Sequence, residues 1–168
     1  STMSNARRDA WSDADGAFII GGLPPGQEWR IQAAVSGFPV QWWGGTTEQT
    51  ESPPIDPAQS PTLDPWALLS GASVTGTVSS PGGPVAGARV RLYSNGQVSQ
   101  VTTDADGTFF ATGVPIGSMT AWATAEGLAV TYLGDSDRPD RFVDLPADGH
   151  HESGVDIAMP WESTLAVQ

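Results

Sequence analysis

The chain has 168 residues, of which 19 are acidic and 7 are basic, so its formal net charge is −12 at pH 7. Every basic residue is Arg, and the sequence contains neither Lys nor Cys. The acidity argues against binding to nucleic acid or to an anionic membrane surface, because both require a basic face. The absence of Cys excludes disulfides, thiol catalysis and thiolate metal sites. No stretch is long and apolar enough for membrane insertion.

Two parts of the sequence repeat one pattern. Residues 12–18 read SDADGAF and residues 103–109 read TDADGTF, and each is followed by a second phrase, GLPPG at 22–26 and GVPIG at 113–117. Both pairs of phrases are offset by 91 residues. This period suits one small β module, and the chain holds less than two copies of it. The sequence therefore predicts a tandem array rather than one domain with a single active site.

The points at which the repeat is cut at each end of the chain set the predicted boundaries. The first copy matches only the back half of the module, and the last residues resemble the start of a further one. An incomplete copy leaves a sheet edge open, so we expect self-association through exposed strand edges, with segment 163–167 as the donated strand. In chain order we predict a cloning remnant (1–6), the C-terminal part of a first β-sandwich repeat (7–64), a short linker (65–71), a complete second repeat (72–160) and the start of a further repeat (161–168).

Short alternating runs bounded by turn residues predict the strands of the second copy. Asn95 and Gly96 predict a tight hairpin turn, since both tolerate a positive φ. Alternation places Phe109 in the core and Phe110 outside it. About seven short strands with frequent turns are typical of a β-sandwich. The predicted strands are 74–78, 88–93, 98–103, one starting at Phe109, 120–125, 129–133 and 154–159, the last with Val155, Ile157 and Met159 on one face.

Four phrases of the second copy occur in an order that resembles a known family. They are VTGTV at 74–78, PVAGARV at 84–90, TDADGTF at 103–109 and GVPIG at 113–117. Together they resemble the carboxypeptidase regulatory-like domains, which are transthyretin-like seven-stranded β-sandwiches related to the B-type repeats of Gram-positive adhesins. The resemblance covers residues 7–160. It implies tandem all-β modules, the first truncated, in a non-catalytic extracellular spacer or adhesion protein. The Lys-based isopeptide cross-link of adhesin repeats is impossible here, because the chain has no Lys.

The acidic loops are the candidate metal sites. Two Asp-x-Asp-Gly segments, at 13–16 and 104–107, are predicted to be turns held by the Asp side chains, because other ligands of a calcium loop are missing. Asp135, Asp137 and Asp140 form a third acidic loop, where calcium is the alternative to solvated side chains. We assign no metal and no other cofactor to the chain.

The two histidines, His150 and His151, are predicted to lie in a solvated loop. Adjacent His residues on a strand would point to opposite faces, and no Cys or third His exists to complete a zinc site. The Gly-x-Ser-x-Gly pattern of a nucleophile elbow is also absent. No catalytic residue is therefore predicted, and the chain is not expected to be an enzyme.

Three aromatic residues are candidate contacts for a ligand or partner. Trp42 and Trp43 are consecutive, so on a strand one is expected in the core and the other against a neighbouring domain or a ligand. The second copy has Tyr132 in the corresponding phrase. Trp66 and Trp161 stand at equivalent junctions, where we expect them to wedge between successive modules.

These features predict a secreted or cell-surface bacterial module. It would act as a spacer, a stalk or an adhesion surface, contacting neighbouring repeats and a protein or polysaccharide surface ligand. The alternative is a carbohydrate-binding accessory module of a secreted hydrolase, with Trp42 or Trp43 stacking on sugar rings. A row of exposed aromatic side chains on one face would favour this alternative. Aromatic side chains confined to the core and the junctions would favour the spacer.

Overall fold

The structure is a computed structural model that describes residues 7–60, 62–135 and 137–163, and it is almost entirely β. The predicted remnant 1–6 and most of segment 163–167 lie outside these residues. No helix in the described part is long and apolar enough to span a membrane. The elements are β1 (Gln32–Ala33), β2 (Gln41–Trp42), a 3-10 helix (Gln49–Glu51), β3 (Ala72–Ser80), β4 (Gly83–Pro84), β5 (Arg89–Ser94), β6 (Gln97–Thr102), β7 (Thr108–Val114), β8 (Gly117–Thr124), β9 (Thr131–Tyr132), β10 (Val143–Leu145), β11 (His151–Glu152) and β12 (Ile157–Ala158).

Two five-stranded sheets build the second copy. In sheet A the strand order is β10-β8-β5-β6, and β9 also pairs with β8; all these pairs are antiparallel. Sheet B is centred on β3, which pairs antiparallel with β7 and β4 and parallel with β11 and β12. The fold is the all-β sandwich that the sequence predicts.

One core lies between the two sheets. Strands β3 and β5 both alternate, so Val74, Val78, Val90 and Leu92 are buried while their immediate neighbours in sequence are more exposed. Alternating apolar side chains on both sheets meet in this way because each sheet has one face that must leave water. The buried apolar residues of the core are Ala72, Val74, Val78, Ala88, Val90, Leu92, Phe109, Ala111, Val114, Met119, Ala121, Ala123, Leu128, Leu133, Leu145, Val155, Ile157 and Met159.

The predicted faces of two strands are confirmed. Phe109 is 4% exposed and Phe110 is 58% exposed, as the alternation along β7 requires. At the end of the module, Val155, Ile157 and Met159 are all buried, although the strand predicted at 154–159 is limited to Ile157–Ala158. These assignments follow from the period of two alone, because successive residues of a strand point to opposite faces.

The predicted hairpin is also confirmed. The strand predicted at 129–133 is too long, and the loop predicted at His151 is wrong. Asn95 and Gly96 have φ values of 47° and 74°, and they join β5 to β6. The strand predicted at 129–133 is limited to Thr131–Tyr132. His151 does not lie in a loop as predicted: it belongs to β11, which pairs with Ser73 and Val74 of β3. The parallel partner comes from far along the sequence, so no local signal marks this strand.

The first copy forms far less structure. Strands β1 and β2 make a two-stranded sheet, and Trp29 and Ile55 exchange backbone hydrogen bonds of 2.8 Å. Trp11 is 94% exposed, and Phe18, the counterpart of Phe109, is 43% exposed. Phe109 is buried because β7 belongs to sheet B, whose inner face packs against sheet A. In the first copy, the described strands are only β1 and β2, and no second sheet is described that would cover Phe18.

Candidate functional site

The first candidate surface is the junction between the copies, where two tryptophans meet. The ring centroids of Trp43 and Trp66 are 6.0 Å apart, and the ring planes are at 88°. This edge-to-face arrangement is a favourable one for aromatic pairs. Both side chains are half-buried. Trp43 therefore contacts a residue of segment 65–71, the predicted linker, while its neighbour Trp42 lies in β2, half-buried and paired with Gln32.

Two glutamine side chains attach the first copy to the linker and to sheet A. Gln41 is fully buried, and its side chain accepts a hydrogen bond from Leu69 N and donates one to Leu69 O, both at 2.7 Å. Gln97 does the same for Val40, accepting from its N–H at 2.8 Å and donating to its carbonyl at 2.9 Å. Each amide satisfies both backbone groups of one residue, as a neighbouring strand would.

The second candidate surface lies on the outer face of sheet A. Tyr132 of β9 stands opposite Trp122 of β8, with ring centroids 5.7 Å apart and planes at 32°. Both rings are half-buried. Of the three aromatic residues singled out in the sequence, Tyr132 thus lies in a different surface from Trp42 and Trp43.

The Asp-x-Asp-Gly segments are turns in both copies. Asp104 Oδ1 accepts from the N–H of Asp106 at 3.0 Å and from that of Thr108 at 2.9 Å. In the first copy Asp13 accepts the equivalent pair at the same distances. The carboxylate is used within the turn, which confirms the turn interpretation. The Thr108 hydroxyl, followed by the Thr108 N–H, holds the pKa of Asp104 below its ordinary value of 3.8.

In the part of the chain that the structure describes, the acidic loop at 135–140 and the two histidines do not form a common site. Among the described residues, no three His, Cys, Asp or Glu side chains are grouped to hold a metal ion. Asp135, of the acidic loop, accepts a hydrogen bond from Ala158 N at 2.8 Å. His150 Nε2 lies 3.1 Å from Glu152 Oε2, and His151 Nδ1 lies 2.9 Å from Ser73 Oγ. A Ser-His-acid triad would require one histidine to contact both a serine and an acid. Here Glu152 contacts His150, whereas Ser73 contacts His151.

Sequence reasoning missed three of the residues that form these surfaces. Trp122 could have been found from its strand, because its neighbours Ala121 and Ala123 are small and apolar and so assign it to the opposite face. Gln41 and Gln97 carried no local signal, since their partners are 28 and 57 residues away in sequence.

The two packed sheets and their structural turns define a β-sandwich module. The family model of the carboxypeptidase regulatory-like domain matches residues 73–158, slightly more than half of the chain. The chain therefore belongs to the carboxypeptidase regulatory-like domain family. A comparison with curated proteins gives no match.

Several solved structures are similar over part of their length. Hydroxyquinol 1,2-dioxygenase from Pseudomonas putida DLL-E4 is 15% identical with a TM-score of 0.39, covering 54% of this chain and 56% of its own. The major pilin subunit BcpA of Bacillus cereus is 14% identical with a TM-score of 0.38, covering 84% and 41%. The shaft pilin SpaA from Lactobacillus rhamnosus GG is 13% identical with a TM-score of 0.33, covering 94% and 69%. The chain thus spans about half the length of the dioxygenase and less of BcpA. Likeness at this level does not indicate activity.

Proposed function

We propose that the chain is a non-catalytic extracellular repeat module that acts as a spacer or stalk in a larger bacterial protein. The observation that carries the proposal is the junction between the copies. A spacer must hold successive modules at a fixed distance and orientation, and this junction has the contacts to do so. Membership in the carboxypeptidase regulatory-like family is consistent with a module that has no active site of its own.

We expect the junction to restrict motion through three contacts. Gln41 ties β2 to the linker, Gln97 ties the residue before β2 to sheet A, and the Trp43–Trp66 pair covers the linker. These amide hydrogen bonds are partly buried, and breaking them costs free energy wherever a partner is left without water. A flexible tether would lack such contacts and would let the modules reorient freely.

Small-angle X-ray scattering tests this stiffness. The double variant Gln41→Ala/Gln97→Ala should have a larger radius of gyration than the wild type and should be cut faster by protease within the linker 65–71. The matched control is Gln100→Ala on the same strand as Gln97, since Gln100 contacts Arg91 and not the first copy. Scattering and cleavage that are the same in the double variant and the control would contradict a rigid junction.

The carbohydrate-binding alternative at Trp42 or Trp43 receives no support from the geometry of Trp43, because its ring packs against that of Trp66.

The spacer proposal also includes contact with neighbouring repeats, self-association through strand edges and a location outside the cell. Light scattering on the whole chain and on a chain ending at Met159 addresses self-association. Loss of 163–167 should lower the average mass if that segment is donated to another copy.

A further inference from the structure

A row of side chains crosses the outer face of sheet A on four adjacent strands. Tyr132 of β9 pairs with Trp122 of β8, Trp122 pairs with Arg91 of β5, and Arg91 pairs with Gln100 of β6. We call these four residues the aromatic–arginine row. Three strand spacings make it about 14 Å long. Its length suits a short run of linked sugar rings better than a single small ligand.

The aromatic end of the row offers an apolar surface made of two neighbouring rings. The Tyr132 and Trp122 rings are tilted against each other by 32°, and both keep part of their surface in water. Tyr93 lies on the same face two residues beyond Arg91 and is 44% exposed. Aromatic faces of this kind pack against the C–H faces of sugar rings, while the hydroxyl groups of the sugar remain hydrated.

The other half of the row, Arg91 and Gln100, carries the positive charge. Arg91 donates from Nε to Gln100 Oε1 at 3.2 Å, and no carboxylate pairs with it in the described part of the chain. Arg89 projects from the same face of β5 and likewise has no ion pair there. Two of the seven Arg residues of a chain with net charge −12 therefore stand together without acidic partners.

We infer that the aromatic–arginine row binds an acidic polysaccharide, with uronic acid rings stacked on Trp122 and Tyr132 and a carboxylate held by Arg91. A guanidinium binds a carboxylate through two parallel hydrogen bonds, which fixes the orientation of the ring that carries it. The net charge of −12 repels a polyanion, so any binding has to come from the local contacts of this face. The site is distinct from Trp42 and Trp43, and it is independent of the spacer proposal.

Isothermal titration calorimetry of the full chain with an oligogalacturonate tests the inference. A neutral cello-oligosaccharide of equal length tests the role of charge, and polyglutamate tests the role of the sugar. The oligogalacturonate should bind, more weakly at high salt, and the other two should not. Arg91→Gln should weaken binding roughly tenfold or more, the loss expected for a charged hydrogen bond. Trp122→Ala should weaken it by a similar factor.

The control variant is Phe110→Ala, which removes an exposed aromatic ring from sheet B. Its affinity for the oligogalacturonate should equal that of the wild type. Tyr132→Ala replaces Trp122→Ala if the latter lowers the melting temperature of the chain. Equal binding of polyglutamate, equal binding of the neutral sugar, or no binding of the oligogalacturonate would each overturn the inference. So would a dimer that Arg91→Gln dissociates, because the face would then be an interface between copies of the chain.

Discussion

Gly76 provides the sharpest test of the sandwich packing. It lies in the middle of β3, where segment 154–156 crosses close to the strand. A methyl group added at Gly76 would be 1.9 Å from Val155 O and 2.9 Å from the ring of Phe109. Ordinary contact begins at 3.4 Å, so the segment would have to move away by about 1.5 Å. Alanine at this position therefore cannot be accommodated without separating two parts of sheet B.

The cost of Gly76→Ala depends on the contacts that this separation breaks. The hydrogen bond from Val155 N to Thr75 O, 3.2 Å long, would be lost, at about 0.5–1.5 kcal/mol. Displacing the buried Val155 side chain in a packed core adds about 1–3 kcal/mol. We therefore expect the free energy of unfolding to fall by about 1.5–4.5 kcal/mol.

Urea denaturation followed by tryptophan fluorescence measures this loss. Gly82→Ala is the matched control, because neither glycine has a positive φ and the nearest atom to a methyl at Gly82 is 3.5 Å away. The control should change the free energy of unfolding by less than about 0.5 kcal/mol. If Gly76→Ala and Gly82→Ala were equally stable, the close approach of β3 and segment 154–156 would be wrong.

Two further predictions concern β7 and the turn before it. Phe109→Ala should lower the free energy of unfolding by about 3–5 kcal/mol in the same assay, whereas Phe110→Ala should cost less than about 1 kcal/mol; similar losses would refute the assigned faces. Asp104 has a lowered pKa, so its ionised form stabilises the turn above the ordinary value of 3.8, and this contribution is lost as the pH falls through the lowered pKa. The melting temperature of Asp104→Asn should therefore lie below that of the wild type at neutral pH, and the gap should close below about pH 3.8. A gap that does not change with pH would show that the carboxylate charge is irrelevant to the turn.

The local pattern of the second copy was sufficient to predict much of its structure. Alternation assigned Phe109 to the core and Phe110 to the surface, and the Asn95-Gly96 pair located the hairpin. The repeated Asp-x-Asp-Gly phrase predicted the same turn twice. These features depend on residues close together in sequence, so their physical cause is present in the sequence itself. The family resemblance depends on the same phrases.

Only the tertiary structure decided which distant residues meet. The parallel pairing of His151 with Ser73, the burial of Gln41 against Leu69 and the alignment of Tyr132, Trp122 and Arg91 all join segments far apart in the chain. Strand register cannot be read from one strand alone, because the partner sets it. The contrast between Phe18 and Phe109 has the same origin. The two residues occupy equivalent positions in nearly identical phrases, but among the described residues only Phe109 lies on a sheet that a second sheet covers.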